Sequence, residues 1–270
     1  MKIVITGAEG LIGSFLYKKL LATENEVISL TRKDCDFTCL TSIKKETEKY
    51  QEIDVLIHCA AIAHSKDLYF SKRIRYLNSK ITKNIVDGFL RFNPHFVFTS
   101  SISVYDSNLS QRSDTINPIC ESEYGKGKLD DEQYIKDHLT SYDLYRLFPI
   151  YSDNNKEDIF NRFYVIKNFL KIFLYPSLKY YFCSLNFFYE TLSSRILHRG
   201  KRLHVLCDEE AFNTCLIKKN KGINISLPRK LFVLVLSFVK IFSPKMSIKL
   251  KKFIYPIDLN SFVDYVIKDN

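Results

Sequence analysis

The 270-residue sequence has no apolar run long enough to cross a bilayer. Its longest apolar stretches, residues 163–175 and 231–242, are short and carry lysines. No integral membrane segment is therefore expected. Internal repeats and low-complexity tracts are also missing. No Cys-x-x-Cys pair and no paired His motif accompany the seven cysteines at positions 35, 39, 59, 120, 183, 207 and 215. Cys35 and Cys39 lack a second pair to complete a site, so no metal is expected. The chain opens directly on a core-strand pattern, which argues against a secretory signal and for free thiols in a reducing, cytoplasmic setting.

What is present is the composition of a globular α/β protein, 46% hydrophobic and 26% charged. The length suits one large domain, or a domain with a smaller appendage. Net charge is +10, and much of the excess lies in "KKNK" (218–221), "PRK" (228–230) and "KLKK" (249–252). Such a surplus fits a solvated face, an anionic substrate, nucleic acid or an anionic membrane surface. No groove-reading motif accompanies the lysines, so nucleic acid is not an expected partner.

Strand and helix patterns alternate through the first 150 residues: "KIVIT" (2–6), "EVISL" (26–30), a short polar helix near 40–50, and "DVLIHCAA" (54–61). A long helix near 66–92 follows, then "HFVFTSS" (95–101), a helix near 122–138 and "SYDLYRLF" (141–148). Strands separated by helices predict a doubly wound parallel sheet, and the continuous apolar runs predict strands buried on both faces. Beyond Pro149 the alternation decays into aromatic, lysine-rich helical patterns, with "YSDNNKED" (151–158) as the expected border. The expected division is thus residues 1–150 and a smaller, mainly helical region 151–270, packed against the first and partly interleaved with it.

Directly after the first strand, Gly7, Gly10 and Gly13 precede an apolar-periodic helix. This order points helix N-terminal amides at whatever sits above the strand end, and glycine lets a phosphate approach the backbone. An ordinary tight turn would use the same glycines. Two further features bear on the choice. Tyr124 and Lys128 stand four apart in "YGKGK", on one face of a helix. Ser100 and Ser101 end a buried strand, where such sheets line their ligand crevice.

Together these stretches resemble the extended short-chain dehydrogenase/reductase family, the nucleotide-sugar epimerases, dehydratases and reductases. The matching pieces are "TGAEGLIG" (6–13), "DVLIHCAAIAH" (54–64), "LNSKITKNIV" (77–86), "FVFTSSISVY" (96–105), "YGKGK" (124–128) and "LYRLFPIY" (144–151), in the family's order. The resemblance implies a Rossmann-type fold with residues 1–150 binding NAD(P) and residues 151–270 binding substrate. It assigns Tyr124 the proton transfer to or from the sugar oxygen. Lys128 would lower the phenol's pKa, together with an oxidised nicotinamide, and bond the nicotinamide ribose. Ser101 would hold the substrate oxygen, and Asn78 would brace the site from the long helix. The cofactor would lie on Gly7, Gly10, Leu11, Ile12, Gly13, Ala60 and Ala61, with Asp36 and Phe37 cradling adenine, and would reach Tyr124 and Lys128. A free tyrosine has a pKa near ~10, so lowering it by ~2–3 units needs ~3–4 kcal/mol of differential stabilisation.

NAD-using members place an acid at the end of the second strand. Here that end reads Thr31, Arg32, Lys33, and Arg32 could grip a 2′-phosphate. NADP(H) is the expected cofactor, with NAD(H) possible. Dehydration is disfavoured because Ile102 and Ser103 stand where dehydratases carry an acid pair. The resemblance thus implies NADPH-dependent reduction of a nucleotide-linked 4-keto-6-deoxyhexose, in surface-polysaccharide (O-antigen) synthesis. The alternative is an NAD-dependent UDP-hexose 4-epimerase, and a homodimer through the helices near 66–92 and 122–138 is plausible. The chain departs from the family at Ser152 and Asp153, where Gly-Pro is usual, and in "FCSLNFFYETL" (182–192). "LPRKLFVLVLSFVKIF" and "KLKKFIYP" resemble the closing helix and last strand of shorter reductases. Arg162, Lys167 and Arg195 could face a diphosphate or be ordinary surface charges.

Overall fold

The computed structural model describes residues 1–62, 68, 70–105, 120, 122–152, 159, 164–166, 170–175, 180–209 and 223–242. The expected features at Arg162, Lys167, Cys215, "KKNK" and "KLKKFIYP", and most of the 151–158 border, lie outside the described residues.

The chain alternates β1 (Lys2–Thr6), α1 (Leu11–Leu21), β2 (Glu26–Leu30), α2 (Leu40–Thr47), β3 (Val55–His58) and α3 (Lys72–Phe89). It continues with β4 (His95–Ser101), α4 (Glu123–His138) and β5 (Tyr142–Leu147). Short β6 (Ile150–Tyr151), β7 (Tyr164–Ile166), β8 (Leu170–Tyr175) and β9 (Cys183–Ser184) lead to α5 (Leu185–Arg195), β10 (Lys201–Leu206), β11 (Ile223–Pro228) and α6 (Arg229–Phe242). The main sheet is parallel, in the order β10-β5-β4-β3-β1-β2. Helices flank it in a Rossmann-like arrangement. Strand order reverses between β1 and β3, which opens a crevice at their C-terminal ends.

Alternate residues of each strand feed two separate cores. Ile3, Ile5, Val55, Ile57 and Val97 pack with Leu16, Leu20, Phe188 and Leu192, on the side of α1 and α5. Val4, Leu56, Phe96 and Phe98 pack with Ile43, Ile81, Ile85 and Ile135, on the side of α2, α3 and α4. A period-two strand carrying apolar residues at every position must be covered on both faces, which is why these runs read as unbroken.

Beyond residue 150 the described residues form strands as well as helix. β11, β8 and β7 make a second sheet and β6 pairs with β9. The aromatic and branched content of "LKIFLY" outweighs its helical spacing. Strand β10 returns to the main sheet beside β5. A buried polar cluster fastens it there: Arg202 Nε donates to Asp143 Oδ1 at 2.6 Å, and His95 and His204 also face that carboxylate.

Candidate active site

At the end of β1 the chain turns through Gly7, whose φ of +71° is left-handed and costs little only for glycine. A Cβ on Gly7 would stand 2.7 Å from the Ala60 nitrogen, and one on Gly13 would overlap the Gly7 carbonyl oxygen. Both glycines are thus required by the fold. Gly10 differs. Its backbone is extended (φ −83°, ψ 170°), and a Cβ there would meet only the Gly7 oxygen, at 3.3 Å. The fold presses on Gly10 less than on Gly7 or Gly13, so a group lying over the loop would add the stronger reason for glycine there. Gly10 also starts α1, which has no side-chain cap and no acid in its first turn. The first-turn amides of Leu11, Ile12 and Gly13 are therefore left to an outside acceptor. This cradle fits a dinucleotide's pyrophosphate, directly above the strand-order reversal.

Two neighbouring turns frame the cradle. Ala60, half-buried, donates its N–H to Thr6 Oγ1 at 3.3 Å, and Ala61 beside it is exposed. After β2, Asp34 turns its carboxylate inward to accept from the Thr31 N–H and hydroxyl, at 2.7 and 2.8 Å. Lys33 pairs with Glu9 of the glycine loop at 2.6 Å. Arg32, between them, is exposed and has no hydrogen bond or ion pair among the described residues. Asp36 is exposed, and bonds from the Thr38 hydroxyl and N–H hold its carboxyl below the usual range. Phe37 points the other way. Its ring is 4% exposed within the core, so a ligand could meet Phe37 only through its backbone.

Ser101 closes β4 and caps a 3₁₀ turn, Ile102–Val104. Its hydroxyl accepts from the Ser103 N–H and donates to Ser103 Oγ, both at 3.1 Å. The start of α4 is pressed onto this turn, because a Cβ on Gly125 would overlap the Ser103 carbonyl oxygen. Ser122 caps α4 by accepting from the Gly125 N–H at 3.0 Å. Tyr124 lies in that first turn, half-buried. One turn on, Lys128 is buried with its ammonium 2.9 Å from the Thr99 carbonyl and 4.4 Å from the Phe98 ring centre. Burial lowers its pKa, and Asp131 opposes the shift.

Asn78, Tyr124, Lys128 and Asp131 line one small cavity between α3 and α4. Three of the four expected catalytic residues are thereby brought together. Ser101 stands outside that lining, joined to it through Thr99 and the Ser103–Gly125 contact. Asn78 spends its amide on one residue, accepting from the Ile62 N–H at 2.8 Å and donating to the Ile62 carbonyl at 3.3 Å. It pins the loop that carries Ala60 and Ala61, which makes it a positioning residue.

Two buried networks beneath the site escape the sequence reading. Arg146 of β5 forks onto Glu132 of α4, with Nε–Oε1 at 3.0 Å and Nη2–Oε2 at 2.6 Å. Ser100 donates to the same carboxylate at 2.5 Å, and Arg146 Nη1 donates to the Tyr105 hydroxyl at 2.5 Å. The signals were a charge inside a buried strand and an acid one turn beyond Lys128. The second network runs from Thr6 to His58 Nδ1 at 2.7 Å, from His58 Nε2 to Thr82 at 3.2 Å, and from the Thr82 hydroxyl to Asp131 at 3.1 Å. Because Thr82 spends its proton on Asp131, His58 Nε2 must donate and Nδ1 must accept. A neutral ring agrees with burial and Lys128 pushing the His58 pKa down to about 3. Burial pushes Asp131 up to about 6.

Among the described residues no His, Cys, Asp and Glu cluster could hold a metal, and no helix is long and apolar enough to cross a membrane.

No curated protein matches the chain. Solved structures share its fold. A dTDP-4-dehydrorhamnose reductase from Bacillus anthracis, solved in complex with NADP, superposes with a TM-score of 0.69 at 17% identity, over 86% of this chain and 85% of that one. A reductase of the same description from Yersinia enterocolitica gives 0.66 at 16%, over 97% and 99%. The UDP-glucose 4-epimerase of Thermus thermophilus, solved with NAD, gives 0.64 at 16%, over 84% and 86%. The model of the NAD dependent epimerase/dehydratase family matches residues 3–172. With more than half its length matched, the chain belongs to that family and is an NAD(P)-dependent enzyme of the extended short-chain dehydrogenase/reductase type.

Proposed function

We propose that the protein reduces the keto group of a nucleotide-linked 4-keto-6-deoxyhexose with NADPH, a cytoplasmic step in surface-polysaccharide synthesis. The observation that carries this reading is Arg32. The nearest carboxylate in sequence, Asp34, is turned into its own loop and Lys33 is paired with Glu9, which leaves Arg32 exposed for a 2′-phosphate. Gly10, Leu11, Ile12 and Gly13 would hold the pyrophosphate, and the backbones of Asp36, Phe37, Ala60 and Ala61 would line the path to Tyr124 and Lys128. Bound there, the cofactor supplies the hydride.

The chain's own groups supply the rest. Tyr124 gives its phenolic proton to the carbonyl oxygen as negative charge develops on it. Ser101, released from Ser103, donates a hydrogen bond to the same oxygen. An ammonium has three N–H donors. Lys128 spends one on Thr99, and its charge favours the phenolate left on Tyr124 after transfer. Ile102 and Ser103 offer no carboxyl for removing water from the sugar. Residues 151–270 would bind the nucleotide-sugar. Two copies would pair through the outer faces of α3 and α4, where Tyr76 is 65% exposed.

The test is a panel of nucleotide-sugars followed by absorbance of the reduced cofactor. Net loss of NADPH with a 4-keto-6-deoxy substrate is the expected result. Interconversion of UDP-hexoses without net cofactor change would replace this reading with a 4-epimerase.

A further inference from the structure

The helix α6 lies in the half proposed to bind substrate, but none of its residues has a role in the proton transfer, and its surface is unusual. Phe232 and Leu236 are buried at 1% and 7% exposure. Leu231, Leu234, Phe238 and Ile241 are 47%, 67%, 64% and 75% exposed, and Val235 joins them. Their three- and four-residue spacing places them on one broad face. Ser237 interrupts that face, but its hydroxyl is bonded to the Val233 carbonyl at 3.1 Å. On the adjoining strand β11, Ile223 and Ile225 are exposed as well.

The stretch of sequence that contains α6 carries charge of one sign. Residues 211–257 contain ten Lys and Arg (218, 219, 221, 229, 230, 240, 245, 249, 251 and 252) and no Asp or Glu. The other 30 basic residues balance the chain's 30 acidic ones, so the whole net charge of +10 resides in this stretch.

We propose that α6 forms a docking surface for an anionic phospholipid bilayer, lying in the plane of the interface. Apolar side chains facing outward from a helix that carries Arg229, Lys230 and Lys240 and no acid match acyl chains beneath anionic headgroups. The fourteen residues of α6 are about 21 Å long, too short to span the bilayer but suited to lying on it. A second copy of the chain is a poorer occupant, since it would bring two such basic stretches together. Nucleic acid is poorer still, because phosphates offer nothing to exposed Leu, Val and Ile. The proposal is independent of the substrate reading.

The full chain is sedimented with vesicles of phosphatidylcholine alone and of equal parts phosphatidylcholine and phosphatidylglycerol. Binding to the anionic vesicles only, weakened by salt, is expected. The double substitution Leu234→Ser and Phe238→Ser should lower partitioning on the order of tenfold or more without changing the melting temperature. A separate charge-reversal variant, Lys230→Glu with Lys240→Glu, should lower it as well, because it reverses the helix's own charge. Absence of vesicle binding overturns the proposal. So does a wild-type dimer that the double variant renders monomeric. A lower melting temperature for the double variant would show that the chain's own residues already cover the face, and overturns it too.

Discussion

Breaking the Glu132–Arg146 pair should be among the costliest changes beneath the candidate site. Both side chains are almost fully buried, at 1% and 5% exposure, and the fork is bidentate. Glu132→Leu leaves a guanidinium in the core without its carboxylate, at a cost of about 3–5 kcal/mol. For a chain of this size that corresponds to a fall in melting temperature of roughly 6–20 °C. Arg146→Met strands the carboxylate on Ser100 alone and should cost a similar amount. The double variant removes both charges and leaves the Ser100 hydroxyl short of its acceptor, at roughly 1–3 kcal/mol, while Tyr105 keeps other contacts. It should therefore be no less stable than either single variant, although simple addition would make it about twice as damaged. Thermal unfolding of all four proteins gives the coupling directly. Because Ser100 precedes Ser101, turnover should fall in the single variants even well below their melting temperatures. Single variants within about 1 kcal/mol of wild type, or a double variant equal to their sum, would refute the reasoning.

The remaining predictions concern the site itself. Tyr124→Phe should lower turnover by ~10²–10⁴-fold while cofactor titrations stay unchanged, and a variant keeping more than a tenth of the rate would remove Tyr124 from proton transfer. Gly10→Val should weaken cofactor binding while lowering the melting temperature less than Gly7→Ala does, because at Gly7 φ is positive and Ala60 is in the way; equal melting of the two would undo the division of roles. Arg32→Ala should weaken NADPH binding roughly 10- to 150-fold, for a lost charge-assisted bond of ~1.5–3 kcal/mol, and barely affect NADH; equal loss for both would make Arg32 a mere turn residue. Asp131 holds its proton up to about 6 when folded, above the unfolded value. Its contribution to stability should therefore fall as pH rises from about 4 to about 6, by roughly 3 kcal/mol in all. Urea titrations of Asp131→Asn across that window should lack the slope, and superimposable profiles would exclude the effect.

The sequence by itself determined the order of strands and helices in the first 150 residues, because each depends on periodicity within a few neighbours. "HFVFTSS" and "EVISL" are strands over the residues read, and α4 begins within a residue of its expected start. The four-residue spacing of Tyr124 and Lys128 was legible for the same reason. Only the tertiary structure separated Gly10 from Gly7 and Gly13, since the difference lies in what a missing Cβ would touch: the Cys59–Ala60 backbone beyond β3 for Gly7, and the folded-back Gly7 carbonyl for Gly13. It alone turned Phe37 inward and left Asp36 outside, brought β10 back to the main sheet and bared the apolar face of α6. The Glu132–Arg146 fork and the path from Thr6 through His58 and Thr82 to Asp131 belong with these. A buried polar group must find a partner out of water, and in a doubly wound sheet that partner comes from another element. Its identity depends on how distant segments pack, which local periodicity does not encode.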